Sequence, residues 1–511
     1  MKKLVALLLA CMMMLSVMGS ALADDSKVEV TVGSAMAWET LTPFRTARIW
    51  AIIYSRMLYD SLAWRTADGV LNPVAAKSWE VEEDGVTWNV ELFDYIYDSA
   101  GNHITADDIV WYMEEMKAQA LKPPFGQVES IEKTGDYTLK IVMKQDIFGN
   151  FENVLCHTFV VSKAAYEADP DGFVSKVVSS APYKVTDFVS GSHIILEKRD
   201  DYWQKPELIP AALANNVDKF TMKYIAEASQ QQVALETGEV DAFIAITQSL
   251  ISALDPDTFV NYGVPSIAAT CLNFSGDPSR VVANDINLRK AIAYAIDVNA
   301  LIIGAYGGYA DAMHAPESDK AVGFQESWKE QEYYEYNVEK AKEYLAQSNY
   351  QGETLELLAS ASDINNKLGV LIQAYLAEVG INLKLNIVDR ALYTASSNDG
   401  SAFDVVIGSN GDMNLASYWL SCYDITAYPH GDSRGRNDTV LYDMIKNAWT
   451  NAGFTAENIN AIHEYLAENI LDYGLVQPYQ CDMYNKQKLN ITKLAYLLGG
   501  AIDFISCEYE Q

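Results

Sequence analysis

The sharpest local signal for chemistry lies in one stretch. Asp404-Val405-Val406-Ile407-Gly408-Ser409-Asn410-Gly411-Asp412 reads as a buried strand that runs into a glycine-bounded turn and ends on a carboxylate. A fixed carboxylate there suits a desolvated ammonium, because a charge-assisted hydrogen bond is stronger than a neutral one. The backbone before it, through Ser409, Asn410 and Gly411, can pair with an extended chain as an added strand. Tyr418 and Trp419 follow and can wall an apolar side chain. The same residues allow a second reading, in which Asp412 is a turn residue chosen for its conformation.

Catalytic machinery is not legible. The chain has no Gly-x-Ser-x-Gly elbow, no P-loop, no Gly-x-Gly-x-x-Gly after a strand and no His-Glu-x-x-His. His463-Glu464 lacks the second histidine, and His103, His157, His193, His314, His430 and His463 are scattered without ligand spacing. Cys156-His157 is the one adjacent Cys–His pair. Neighbouring side chains often diverge, so it reads as a core pair. The expectation is a binding protein without enzymatic activity, cofactor or metal. A secreted hydrolase is the alternative of a different class.

The elements that must position such a turn are regular. From Leu288, apolar residues recur at Ala291, Ile292, Ala295 and Ile296, the stripe of a helix with one buried face. Asp285 or Asn287 can cap it, Asp297 or Asn299 can begin the next turn, and Arg289 and Lys290 lie off the stripe toward solvent or partners. The chain has 511 residues, natural for two lobes. Its 37 basic residues face 69 acidic ones, a net charge of −32. That balance disfavours nucleic acid and anionic membrane as partners. It suits a cationic or amine-bearing ligand, and equally a solvated acidic surface.

Lys2-Lys3, the apolar run Leu4 to Met18 and Gly19-Ser20-Ala21-Leu22-Ala23 form a secretory signal cleaved after Ala23. Leu8-Leu9-Ala10-Cys11 offers a less favoured alternative, a lipid anchor on Cys11. Cleavage after Ala23 leaves Cys156, Cys271, Cys422, Cys481 and Cys507, an odd and widely spaced set unlike a disulfide framework. No later stretch approaches the ~20 apolar residues of a membrane span.

Along the chain, Val28 to Gly33 alternates as a first strand, Ile53 to Leu62 reads as helical, and Ala75-Ala76-Lys77-Ser78-Trp79 with Asp84-Gly85 reads as hairpin structure. Thr105 can cap a helix with Asp108 as its partner. Ala181-Pro182-Tyr183, Asp201-Tyr202-Trp203, Gly238-Glu239-Val240-Asp241, Leu288-Arg289-Lys290-Ala291 with Tyr294-Ala295-Ile296-Asp297, Asn337 to Leu345, and Ile372 to Gly380 follow in order. This ordered set, from about Val28 to Tyr484, resembles the family 5 extracellular solute-binding proteins, the peptide-type receptors of ABC importers.

The resemblance implies an α/β, two-lobed periplasmic-binding-protein-like fold of class II, enlarged by an extra N-terminal subdomain. The N-terminal lobe would span 24–266, with a β-rich addition at about 64–165. The C-terminal lobe would span 267–477, and 478–511 would return to the first lobe. The hinge strands would be Ile267 to Asn273 and Gln477 to Met483, so that a Cys271–Cys481 bridge is conceivable. In the family, the Asp412 position holds a peptide's α-ammonium, and Met36 and Trp38 become cleft candidates. Two departures stand out. The stretch Leu358 to Ser362 lacks the arginine that clamps a dipeptide's carboxylate, and Ser409 stands where a large aromatic is common. A longer peptide or another amine-bearing solute therefore fits better than a dipeptide, with an oligosaccharide or metal chelate as the alternative. The implied protein is an exported, periplasmic or cell-surface monomer whose second partner is a membrane permease.

Overall fold

The computed structural model describes residues 27–36, 38–44, 55–119, 123–331 and 333–510. The signal segment, Cys11, Ile53 and Tyr54 lie outside them.

A 12-stranded sheet runs through the molecule. One end is built from Asn382–Val388, Thr354–Ser360, Val405–Asn410 and Ala269–Phe274, and the other from Ala242–Ile244, Glu29–Ser34, Lys219–Tyr224, His193–Lys198 and Tyr183–Val189. Asp472–Asn485 lies between them. Its first half pairs with Ala269–Phe274 and Ala310–Ala312, and its second half with Phe259–Pro265 and Ala242–Ile244. The outward crossing is therefore short, at Ser266 to Ala268. From Ala269 onward the chain already pairs with Val405–Asn410, because Ala269 lies opposite Asn410.

Each half has its own core. One gathers Val30, Tyr59, Tyr112, Phe159 and Phe220, and the other Leu272, Leu288, Ile292, Leu357 and Leu376. A separate four-stranded antiparallel sheet, Ala76–Val81, Thr87–Leu92, Thr138–Met143 and Val128–Gly135, packs with the helix Ala106–Gln119 on the first half. Thr105 N–H donates to Asp108 Oδ2 at 2.9 Å, the return half of the expected capping box.

The helix signalled by the Leu288 stripe spans Ile286–Ala295. Asp285 caps it, accepting from Leu288 N–H at 3.0 Å, and Asp297 caps the following helix, Val298–Tyr306, accepting from Ala300 N–H at 3.1 Å. Arg289 turns inward and donates to the carbonyls of Val282, Ala283 and Asn469. Gly238 and Gly380 close their helices in left-handed conformations, as the sequence indicates.

Two further expectations fail. The segment read as a helix into Leu62 is a single 3-10 turn, Ser55–Met57, followed by buried irregular chain in which Ser61 bridges to Phe159. A short apolar run does not distinguish a buried helix from a buried loop. Here Asp60 breaks the run, accepting from Trp203 Nε1 at 2.8 Å and Tyr202 Oη at 3.1 Å. The conceivable Cys271–Cys481 bridge is ruled out by register. Cys271 lies opposite Gly474 and Cys481 lies on that same strand, 481 − 474 = 7 residues further on. At ~3.3 Å per residue that is about 23 Å, against the ~7 Å limit between bridged Cα atoms. All five cysteines among the described residues are free. Among the described residues, no helix is long and apolar enough to cross a membrane.

Gly411 locks the site strand to the crossing. It sits at φ 150°, and a Cβ there would collide with the carbonyl oxygen of Ile267 and meet Ala268 Cα at 3.0 Å. Gly411→Ala should therefore destabilise the fold by about 1–3 kcal/mol in denaturant melts. An unchanged midpoint would mean that the crossing is not held this tightly. Asp60 gives a second prediction. Burial pushes its carboxyl up to about 7, against the hydrogen bonds from Trp203 and Tyr202. The folded state then keeps a proton that the unfolded chain, with a carboxyl near ~3.9, releases at lower pH. This stability is present below about pH 4 and is lost as pH rises through about 7. Relative to Asp60→Asn, the wild-type melting temperature should fall across that window; parallel profiles would contradict it.

Candidate functional site

A cavity of ≈ 300 Å³ opens where the two halves meet. The crossing contributes Ser266, Ile267 and Gln480. The N-terminal half contributes Ser55, Trp64, Arg65, Cys156, His157 and Phe159. Met413 comes from the other half, and the returning C-terminal segment closes the wall through Leu497, Leu498, Gly499 and Ala501. The halves also touch through side chains elsewhere. Phe148 stacks on Phe454 at 4.0 Å, Phe148 N–H donates to the Trp449 carbonyl at 2.7 Å, and Asn451 N–H donates to Asp146 Oδ2 at 3.2 Å.

The turn after Val405–Asn410 is placed beside this cavity by the contact of Gly411 with Ile267. Met413 is on the wall, and Asp412, half-buried, immediately precedes it. Asp412 Oδ1 accepts from Met413 N–H at 2.6 Å, and no cation pairs with the carboxylate among the described residues. Burial holds its carboxyl above the ordinary carboxylate range, with the Met413 N–H pulling the other way. An incoming ammonium would offset that burial. Ser409 is exposed on the same edge. Asn410 is buried, and its amide meets that of Asn273 over Gly408, the two pairing at 2.9 and 3.0 Å. Turning the Asn273 and Asn410 amides together keeps this pair and brings the Asn273 oxygen to 2.6 Å from Arg434 Nη2.

The other sequence candidates lie elsewhere. Tyr418 and Trp419 sit in the helix Leu415–Tyr423 and are buried in the core with Leu415, Trp328 and Ile445. The helix packs both rings inward, away from the cavity wall. Their polar ends, Tyr418 Oη and Trp419 Nε1, have no hydrogen-bond partner among the described residues. Met36 and Trp38 border a separate depression of ≈ 10 Å³ with Phe188, His193 and Met222. Trp38 belongs to the N-terminal core, whereas Met36 is 53% exposed.

The residues that line the cavity in their place had little signal. Cys156 and His157 end the helix Asn150–His157, and both are half-buried on the wall, not a core pair. The His157 ring lies 2.7 Å from the Asn153 carbonyl through Nδ1. Burial pushes the Cys156 thiol up to about 11, against the pull of Arg65. Arg65 follows an apolar run and precedes a turn, a pattern that marks nothing by itself. Among the described residues, no group of three or more His, Cys, Asp or Glu side chains is arranged to hold a metal ion.

Comparisons with known proteins agree with this architecture. The glutathione-binding protein GsiB of Escherichia coli (strain K12) is 26% identical over 388 residues, 73% of this chain and 72% of that protein. HbpA2 from Haemophilus parasuis superposes with a TM-score of 0.79 at 17% identity, covering 94% of this chain and 100% of that one. NikA from Brucella suis in complex with Fe(III)-EDTA gives 0.78 at 17% identity, with coverage of 94% and 100%. DppA from Helicobacter pylori in complex with the peptide STSA gives 0.73 at 20% identity, with coverage of 95% and 99%. Residues 70–426 match the family described as "Bacterial extracellular solute-binding proteins, family 5 Middle". With that match over most of its length and a two-lobed sheet around one interlobe cavity, the chain belongs to the family 5 bacterial extracellular solute-binding proteins.

Proposed function

We propose that this protein is the exported receptor of an ABC importer, and that it captures a short peptide or another amine-bearing solute between its halves for delivery to a membrane permease. The observation that carries the ligand class is Asp412, a half-buried carboxylate without a counter-cation among the described residues, next to the cavity-lining Met413. GsiB, by its name a glutathione-binding protein, and DppA, bound to the peptide STSA, take ligands of this chemistry. The ≈ 300 Å³ of the cavity lies at the lower end of small-molecule sites, which favours a short ligand over the longer peptide that the missing arginine suggests. Lobes at 24–266 and 267–477, with 478–511 returning, follow the change of partners along Asp472–Asn485 and at Ser266 to Ala268. Capture and release need no catalysis, and the protein works as a monomer.

A thermal-shift screen of the protein without residues 1–23 tests this against short peptides, oligosaccharides and metal chelates. A ligand bound only by the folded state raises the melting temperature by mass action. Short peptides should raise it, and Asp412→Asn should weaken their binding roughly 30-fold or more. Because the ammonium needs an ionised partner, affinity should fall as pH drops through the raised titration of Asp412, and that slope should vanish in Asp412→Asn. A rise with sugars alone, indifferent to Asp412, would overturn the ligand class while keeping the fold.

A further inference from the structure

We propose that Arg65 binds a carboxylate of the captured solute, so that the ligand is a zwitterion held by one half of the protein through its ammonium and by the other through its carboxylate. The ammonium arm rests on the reading of Asp412 given above; the carboxylate arm stands on its own observations.

Among the described residues lining the cavity, Arg65 alone carries a full charge, and that charge is positive in a chain whose net charge is −32. A general acidic surface does not explain it. The other partly or fully buried arginines have a carboxylate or several oxygens as partners: Arg280 has Asp404 at 3.5 Å, and Arg434 donates to the Ser397 carbonyl at 3.0 Å and to Ser433 Oγ at 3.1 Å. Arg56 has Asp503 at 2.8 Å, Arg199 has Asp201 at 2.9 Å, and Arg436 has Asp432 at 2.8 Å. Arg289 is satisfied by three backbone carbonyls. Arg65 spends one nitrogen, Nη1, on the Gly69 carbonyl at 2.8 Å, and no carboxylate pairs with it among the described residues.

The guanidinium is also held in place. Arg65 ends the strand Ala63–Arg65, which pairs with Leu71–Pro73, with Arg65 opposite Leu71. The connecting turn is tied by Thr66 Oγ1 donating to Asp68 Oδ1 at 2.7 Å and by Thr66 N–H donating to the Val70 carbonyl at 3.0 Å. The Gly69 bond closes the same turn onto the side chain. A planar guanidinium fixed at one nitrogen offers its remaining N–H groups in a fork that matches a carboxylate. The ring of His157 and the hydroxyls of Ser55 and Ser266 stand on the same cavity wall as further polar groups. The chain thus supplies from its N-terminal half the cation that is missing between Leu358 and Ser362. A solute gripped at both ends would also hold the halves together.

Calorimetric titration of the protein without residues 1–23 with tri-alanine, its C-terminal amide and its N-acetyl form separates the two arms. The wild type should bind tri-alanine at least tenfold more tightly than the amide. Arg65→Gln should lose that tenfold and no longer distinguish acid from amide, while keeping the preference for the free amine over the acetyl form. Arg65→Lys, which keeps the charge without the fork, should fall between and serves if Arg65→Gln does not fold. If N-acetyl-tri-alanine binds as well as tri-alanine and Arg65→Gln weakens both, the ammonium reading fails and the carboxylate arm stands. Equal binding of acid and amide by the wild type, retention of that preference in Arg65→Gln, or no binding of either carboxylate form at millimolar concentration overturns the proposal.

Discussion

The strand Asp472–Asn485 gives its backbone hydrogen bonds to both halves of the protein, and everything else is arranged around that sharing. A strand inside a ladder cannot slip without breaking several backbone hydrogen bonds at once. The halves therefore keep a common axis, and relative motion is confined to the few residues where the partners change. At that point Gln477 Nε2 donates to the Ser266 carbonyl and to Ser318 Oγ, both at 2.8 Å, which ties the return crossing to the outward one. A little further on, Asp482 accepts from the backbone N–H of Ala245 and Ile502 at 2.9 and 2.8 Å, anchoring the strand to the N-terminal half and to the returning tail.

The cavity follows from this geometry. Two bodies with separate cores, joined along one line, leave a wedge of space that neither core fills. Its floor is the crossing itself, and its walls come from whatever each half presents there. The N-terminal half presents an aromatic and basic wall through Trp64, Arg65, His157 and Phe159, and the other half presents the turn around Asp412. The stack of Phe148 on Phe454 shows the halves also in contact away from the crossing strands, the arrangement expected of a closed binding protein.

Electrostatics sets the selectivity of such a wedge more sharply than shape does. A half-buried carboxylate and a half-buried guanidinium, each with one backbone hydrogen bond but no counter-charge among the described residues, are costly in an empty cleft, and a ligand of opposite polarity would offset that cost. Apolar contacts with Trp64, Phe159 and Leu497 would add affinity to the proposed site without reading a particular side chain.

Local chemistry made much of the molecule legible. The Leu288 stripe, the caps at Asp285, Asp297 and Thr105, the helix ends at Gly238 and Gly380 and the turn at Asp412 each depend on residues within a few positions of one another, so the sequence by itself determined them. The ordered series of such blocks also identified the family. Tertiary structure decided the rest. Tyr418 and Trp419 point into the C-terminal core because the neighbouring helices offer them apolar surface there. Asp60 breaks an apparent helix because Tyr202 and Trp203, some 140 residues away, supply its hydrogen bonds. Cys156, His157 and Arg65 become cavity residues because a helix end and a short hairpin converge on the crossing. Periodicity reports which face of an element is buried, but a cleft is made by the meeting of several elements, and no local pattern records where they meet.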